Sequence, residues 1–253
     1  MLRFPLRLTA DLLFARLARG ASPVQFVDAA DILHSESGHP VSHEKIREVI
    51  SSRSPIVWIG GSEPLLHPGA AHLVRAITQS GHCVFLETDG TLLRRRIHEF
   101  QPVSRLFLAV RLEADAPRRS SSPLQPVPFE LAVEGIRAAR LSGFFICVLT
   151  RVSPDTQLSA AEELIQLAHS LDADGFVALP ARMASDSASQ AAQVARQKTS
   201  ELRKRTGRFW WSSFSRLVEP KLVGNANATH VAGVSSRHAD EQAGPNEEGV
   251  KVA

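Results

Sequence analysis

Between residues 23 and 182 the chain switches hydrophobic period about six times, and this alternation constrains its fold more than any other feature. Short apolar runs stand at 24–27 (VQFV), 56–59 (IVWI), 83–86 (CVFL), 106–110 (LFLAV), 144–149 (FFICVL) and 176–179 (FVAL). Rich in Val, Ile and Phe and with little polar alternation, they suit strands covered on both faces. Helical spacing separates them. Ile46, Val49 and Ile50 share a face in 43–51, as do Leu73, Val74 and Ile77 in 69–80. Val133 and Ile136 mark a helix in 129–142, and Leu164, Ile165, Ala168 and Leu171 mark one in 159–171. Gly81 and Gly143 stand where a helix should stop before the next strand. The pattern predicts an α/β fold, a parallel (β/α)6 partial TIM-type barrel, with chemistry gathered in the loops after the strands.

Outside this repeat the chain divides further. Residues 1–20, with Arg3, Arg7, Arg16 and Arg19, are expected to form an N-terminal amphipathic helix that caps the barrel rather than lying on a membrane. The barrel itself is assigned to 21–182. Residues 183–223 are expected to be a helical, basic and aromatic extension, in which RKRTGRFWWSSFSRL carries Phe209, Trp210, Trp211 and Phe214. Basic and aromatic residues interleaved in this way can hold nucleic acid or lipid headgroups, but more often they pack a terminal segment onto its own domain. Residues 224–253 lack periodicity and are expected to be a disordered tail.

Composition narrows the class. With 253 residues and 43% hydrophobic content the chain can bury one large core, and a formal charge of +3 leaves it only mildly basic. Its two cysteines, Cys83 and Cys147, each lie inside an apolar run and are expected to be buried small hydrophobes, with no disulfide framework and no metal spacing. No apolar stretch is long enough to span a membrane and no secretory leader is evident, so a cytoplasmic location is expected.

The loops after the predicted strands carry the candidate chemistry. After the second comes GGSEPLLHPG (60–69), after the third ETDG (87–90), after the fourth RLEAD (111–115) and after the sixth PAR (180–182). Together they resemble the core domain of the radical S-adenosylmethionine (radical SAM) family. That family ends its second strand in Gly-Gly-Glu-Pro, and here Gly61-Ser62-Glu63-Pro64 stands in its place. Its Thr-Asn-Gly turn is matched by Thr88-Asp89-Gly90, and its Ser-Leu-Asp-Gly turn by Arg111-Leu112-Glu113-Ala114. PFELAVEGIRAARLSGFFICVL resembles the helix and strand that follow. The resemblance spans about residues 20 to 182 and implies a partial barrel of radical SAM type.

The same resemblance implies a cofactor that the sequence does not support. Family members place Cys-x3-Cys-x2-Cys in the loop after strand one, where three thiolates hold a [4Fe-4S] cluster and one open iron chelates SAM. In ADILHSES the three cysteine places are taken by Ala30, His34 and Ser37. Alanine has no donor atom, a serine hydroxyl is a hard ligand protonated near neutral pH, and one imidazole cannot hold a cubane. The cluster is therefore not expected here, no other cofactor is assigned, and SAM, lacking its main anchor, is expected to bind weakly at most. The residual SAM-type pocket would comprise Gly61, Ser62, Glu63, Thr88, Asp89, Arg111, Glu113 and Arg182. His34, His39, His43, His67, His72, Asp28, Asp31 and Glu36 offer donors for a substitute metal site, but plain solvated histidines are the favoured reading.

Several of these residues also have plain structural roles open to them. Arg111 can pair with Glu87 or Glu113, Arg182 with Asp174, and Glu63 can simply stabilise its turn. Alternatively Arg111, Arg151 and Arg182 together can hold a small anionic ligand. The favoured function is a radical-SAM-like pseudoenzyme that binds a ligand or an unknown protein partner. The alternatives are a radical SAM enzyme with a non-standard cluster site, and a nucleic-acid- or membrane-surface protein working through its basic termini.

Overall fold

In the computed structural model of the protein, the described residues are 22–33, 43–114, 128–181, 188–205 and 209–224. The sequence-based assignments for 1–20 and 225–253, together with His34, Ser37 and Arg182, lie outside them.

Six strands form one sheet in chain order: β1 (Val24–Asp28), β2 (Ile56–Gly60), β3 (Cys83–Thr88), β4 (Leu106–Arg111), β5 (Phe145–Val152) and β6 (Gly175–Pro180). Every neighbouring pair is parallel. The sheet curls into a half-barrel, the partial (β/α) barrel that the alternating periods predict. The connecting helices are α1 (Ala29–Leu33), α2 (His43–Ser51), α3 (Ala70–Gln79), α4 (Leu93–Arg96), α5 (Pro128–Leu141) and α6 (Leu158–Ser170). Helix α3 buries Leu73, Val74 and Ile77, and α6 buries Leu164, Ile165 and Ala168, the residues that periodicity selects. In α5 the buried face is Ala132, Gly135, Ile136 and Ala139, while Val133 is only half-buried. Gly81 and Gly143 adopt φ of 102° and 84°, the left-handed geometry that ends a helix.

The inner face of the curled sheet is built on aromatic rings. Parallel register sets Phe26, Trp58, Phe85, Phe107 and Phe145 side by side on five strands. Trp58 stacks on Phe85 at 5.1 Å between centroids, Phe85 on Phe107 at 4.6 Å, and Phe107 lies 5.4 Å from Phe145. These separations follow the strand spacing of a sheet, about 4.8 Å, so each ring rests on the next as a consequence of pairing.

Two further helices follow among the described residues, α7 (Ala188–Arg205) and α8 (Phe209–Gly224). α8 enters the curl and packs on the aromatic face, with Phe214 stacked on Phe85 at 5.0 Å and edge-on to Trp211. Trp211 fills the space over Gly175, where any Cβ would collide with the indole. Helix α8 touches both β6 and β1 and so bridges the two edge strands of the half-barrel. Arg203 of α7 is buried, donating to the Ala178 carbonyl and pairing with Glu219 of α8 at 2.8 Å.

Arg203, Trp211 and Phe214 belong to the core, and their burial withholds them from an external polyanion or lipid surface. Among the described residues no helix is long and apolar enough to cross a membrane.

Candidate functional site at the mouth of the half-barrel

Parallel pairing brings the C-terminal ends of all six strands to one rim, so residues far apart in sequence meet there. The first strand ends at Asp28 and passes directly into α1, with the Ala30 amide donating to Asp28 Oδ1 at 2.9 Å. This corrects the reading of that stretch as a loop. An aspartate accepting from the amide two residues on favours a helix start, so Ala29, Ala30 and Asp31 become a helical turn. Ala30 is half-buried and presents only a methyl group.

Next to it lies the turn after β2. Gly61 has φ 86°, and a Cβ at that position would overlap the Asp28 carboxylate. Glycine is thus required twice here, by backbone geometry and by the approach of β1. Ser62 is exposed. Glu63 organises two turns at once. Its Oε1 accepts from the Leu65 amide at 3.1 Å, capping the short 3-10 turn Pro64–Leu66, and from Thr88 Oγ1 at 2.7 Å. Its Oε2 accepts from the Asp89 amide at 2.7 Å. Burial raises the Glu63 pKa above the ordinary carboxylate value, and the amide of Asp89 and the hydroxyl of Thr88 oppose that rise. The turn-stabilising role considered for Glu63 is therefore present in the fold. Asp89 is itself occupied, accepting from the amide and hydroxyl of Thr91.

A second polar group stands on the inner face of the sheet, and its centre is Glu87. This carboxylate is 2% exposed. Its Oε2 accepts from Trp58 Nε1 at 2.8 Å, while Oε1 accepts from Arg111 Nη1 at 3.0 Å and from Arg151 Nη2 at 3.1 Å. Arg111 therefore pairs with Glu87 and not with Glu113, which is exposed. Arg111 is also the last residue of β4 rather than part of the following turn, and this holds its side chain on the inner face. Glu87 lies opposite Ala109, which in turn lies opposite Cys147, so two small neighbours leave room for both guanidinium groups.

Of the residues selected from sequence, Glu63, Thr88 and Asp89 meet in one bonded cluster, Gly61 lies in the adjoining turn against Asp28, and Arg111 joins another cluster. Trp58, as the donor to Glu87, was not anticipated, and Glu87 was seen only as a possible ion-pair partner. The available signal was a carboxylate one residue from the end of an otherwise apolar run. The suggested Arg182–Asp174 pair involves a residue outside the described ones, but the partners of Asp174 are visible. Asp174 precedes β6 and bonds Arg140 at 2.9 Å and the Ile146 amide at 2.9 Å, whereas residue 182 follows the other end of that strand.

Donors for a metal are scarce. Among the described residues no group of three His, Cys, Asp or Glu side chains is placed to hold an ion. Cys83 opens β3 at the end remote from the mouth, and Cys147 is wholly buried in β5, where burial raises its thiol pKa.

No family model matches the chain. It is 32% identical over 161 residues to the AdoMet-dependent heme synthase of Methanosarcina barkeri, covering 62% of this chain and 44% of that protein. Among solved structures it resembles Streptococcus suis SuiB bound to S-adenosylmethionine, with a TM-score of 0.51 and 12% identity, over 72% of this chain and 44% of that one. The chain thus spans less than half the length of both proteins.

Proposed function

Because the chain is related to the radical SAM superfamily, we propose that it is a member of that lineage which no longer builds the iron–sulfur cluster and serves as a ligand-binding or partner subunit. One observation carries this reading. The residue at the first cluster position, Ala30, sits in a helical turn tied to Asp28 and offers no donor atom. A cubane needs soft anionic thiolates to satisfy its irons. Both cysteines of the chain are structural, one at the far end of β3 and one sealed inside β5. Two features of the mouth agree with this reading. Arg111 stands where the family carries a small residue and is drawn onto Glu87, so part of the bore is filled by the protein itself. Helix α8 fills more of it with Trp211 and Phe214. Gly61, Ser62, Glu63, Thr88, Asp89, Arg111, Glu113 and Arg182 remain the proposed lining of any residual pocket.

A second reading, an active radical SAM enzyme with a cluster held in a non-standard or partner-supplied way, draws support from Glu63. Its carboxylate is half-buried and fixed between the turns after β2 and β3. Anaerobic reconstitution with iron and sulfide separates the two readings. The first expects colourless protein, no bound iron or acid-labile sulfide and no reductive cleavage of SAM. Four irons per chain with SAM cleavage would return the protein to the active enzymes.

A further inference from the structure

We propose that the inner face of the half-barrel carries a binding site for a small oxyanion, a carboxylate or a phosphate group, held by Arg151 and Arg111 above Glu87. The inference goes beyond the proposed loss of the cluster and does not depend on it.

Charge and hydrogen bonding both point to an absent acceptor. Two guanidinium groups, with side chains 32% and 24% exposed, face one carboxylate that is 2% exposed, and both bond the same oxygen of it. The other oxygen is taken by Trp58 Nε1. Among the described residues the cluster thus keeps one positive charge without a counter-charge in contact. Arg151 Nη1 is buried and, among the described residues, has no hydrogen-bond partner. A guanidinium donor stranded away from water costs free energy unless an acceptor arrives, and a charged acceptor compensates best. The neighbouring acids do not serve. Asp28 accepts from the Ala30 amide, Glu63 from Leu65, Thr88 and Asp89, and Asp89 from Thr91, while the ion pairs of Arg111 and Arg151 run to Glu87.

The surroundings suit a small ligand. Glu87 shares its rung of the sheet with Ala109, Cys147 and Gly175, all short side chains. Gly60 lies so close that a Cβ there would stand 3.0 Å from Glu87 Oε2. Trp211 covers Gly175 and bounds the space on the side of β6. The C-terminal rim of a parallel sheet, where Arg111 ends its strand, is a usual place for an anionic ligand.

Trp58 gives the test its reporter, since its indole N–H touches the same carboxylate that both arginines hold. The full chain, labelled with 15N, is titrated with sodium phosphate and with sodium acetate at constant ionic strength, using sodium chloride as the control. The three indole signals are assigned by single Trp→Phe replacements. The expected result is a saturable shift of the Trp58 signal with a midpoint of roughly millimolar. Saturation by acetate alone assigns a carboxylate ligand, and saturation by phosphate alone assigns a phosphate; either supports the site. Arg151→Gln and Arg111→Gln should each weaken the midpoint roughly tenfold, as expected for losing one charge-assisted donor. The proposal falls if neither anion moves Trp58 beyond the chloride control, or if a folded variant of either arginine titrates like the parent. The wild-type titration decides the matter even where a variant does not fold. Iron content has no part in it, so its failure and the failure of the pseudoenzyme reading are read separately.

Discussion

Glu87 carries the most consequential contacts of any single residue, because three donors from three other strands converge on one buried carboxylate: Trp58 of β2, Arg111 of β4 and Arg151 of β5. Exchange for glutamine keeps the shape but removes the charge that two guanidinium groups face. Glu87→Gln should therefore lower stability by about 3 kcal/mol, the scale on which a buried ion pair suffers when one partner is removed. Equilibrium urea unfolding of the two proteins measures it. Glu63 makes a different prediction. Its pKa is raised in the folded state, chiefly by burial, so the folded chain holds its proton more tightly than the unfolded chain does. The stability linked to this group is present below the ordinary carboxylate pKa and is lost as pH rises through the raised value. Glu63→Gln should flatten the fall in stability as pH rises above the ordinary carboxylate pKa; an unchanged slope in urea midpoints over that rise would place the effect elsewhere. The turn around Glu63 was legible in sequence, since a Gly-acid-Pro group after an apolar run marks a turn at a strand end. Its bond to the Asp89 amide was not, because 26 residues separate the two.

At the scale of elements, α8 is the helix whose place no local pattern gave. Its Trp211 and Phe214, beside Arg203, pack against the inner face of the sheet, but where on the domain they would dock no sequence pattern said. Residue 175 tests that packing. Gly175→Val forces a branched side chain into the Trp211 ring and should cost about 1–3 kcal/mol, as overpacking of a filled core does. A thermal melt reads this directly, and a variant as stable as the parent would mean that α8 can move away at no cost. The short helix α1 teaches the complementary lesson. ADIL was read as loop because so short a run lacks a full apolar period. A single capping contact from Asp28 is enough to start a turn that the neighbouring strand then holds in place.

For the whole molecule, the question is what covers the hollow of a half-barrel. Here the chain does it with its own C-terminal helices, which contact the last strand and reach across to the first. A chain ending at Ala181 would uncover Phe85, on which Phe214 stacks, and the aromatic face around it. It is expected to bind the dye 8-anilinonaphthalene-1-sulfonate strongly and to self-associate at micromolar concentration, while the full chain does neither. Dye fluorescence and sedimentation of both forms check this. Should the shorter chain prove monomeric and dye-free, α8 would be an accessory rather than part of the core.

The order, number and direction of the six strands, and the outward helices between them, were determined by the sequence alone. Hydrophobic period is a local property, and a parallel sheet of repeated βα units leaves little freedom in how those periods assemble. That residues 30, 34 and 37 are Ala, His and Ser is likewise read from the sequence alone. Only the tertiary structure decided that Arg111 and Arg151 converge on Glu87, that Asp174 belongs to Arg140, and that Trp211 lies over Gly175. These are contacts between residues 24 to 64 positions apart, set by strand register and by the curl of the sheet, and no local pattern encodes them.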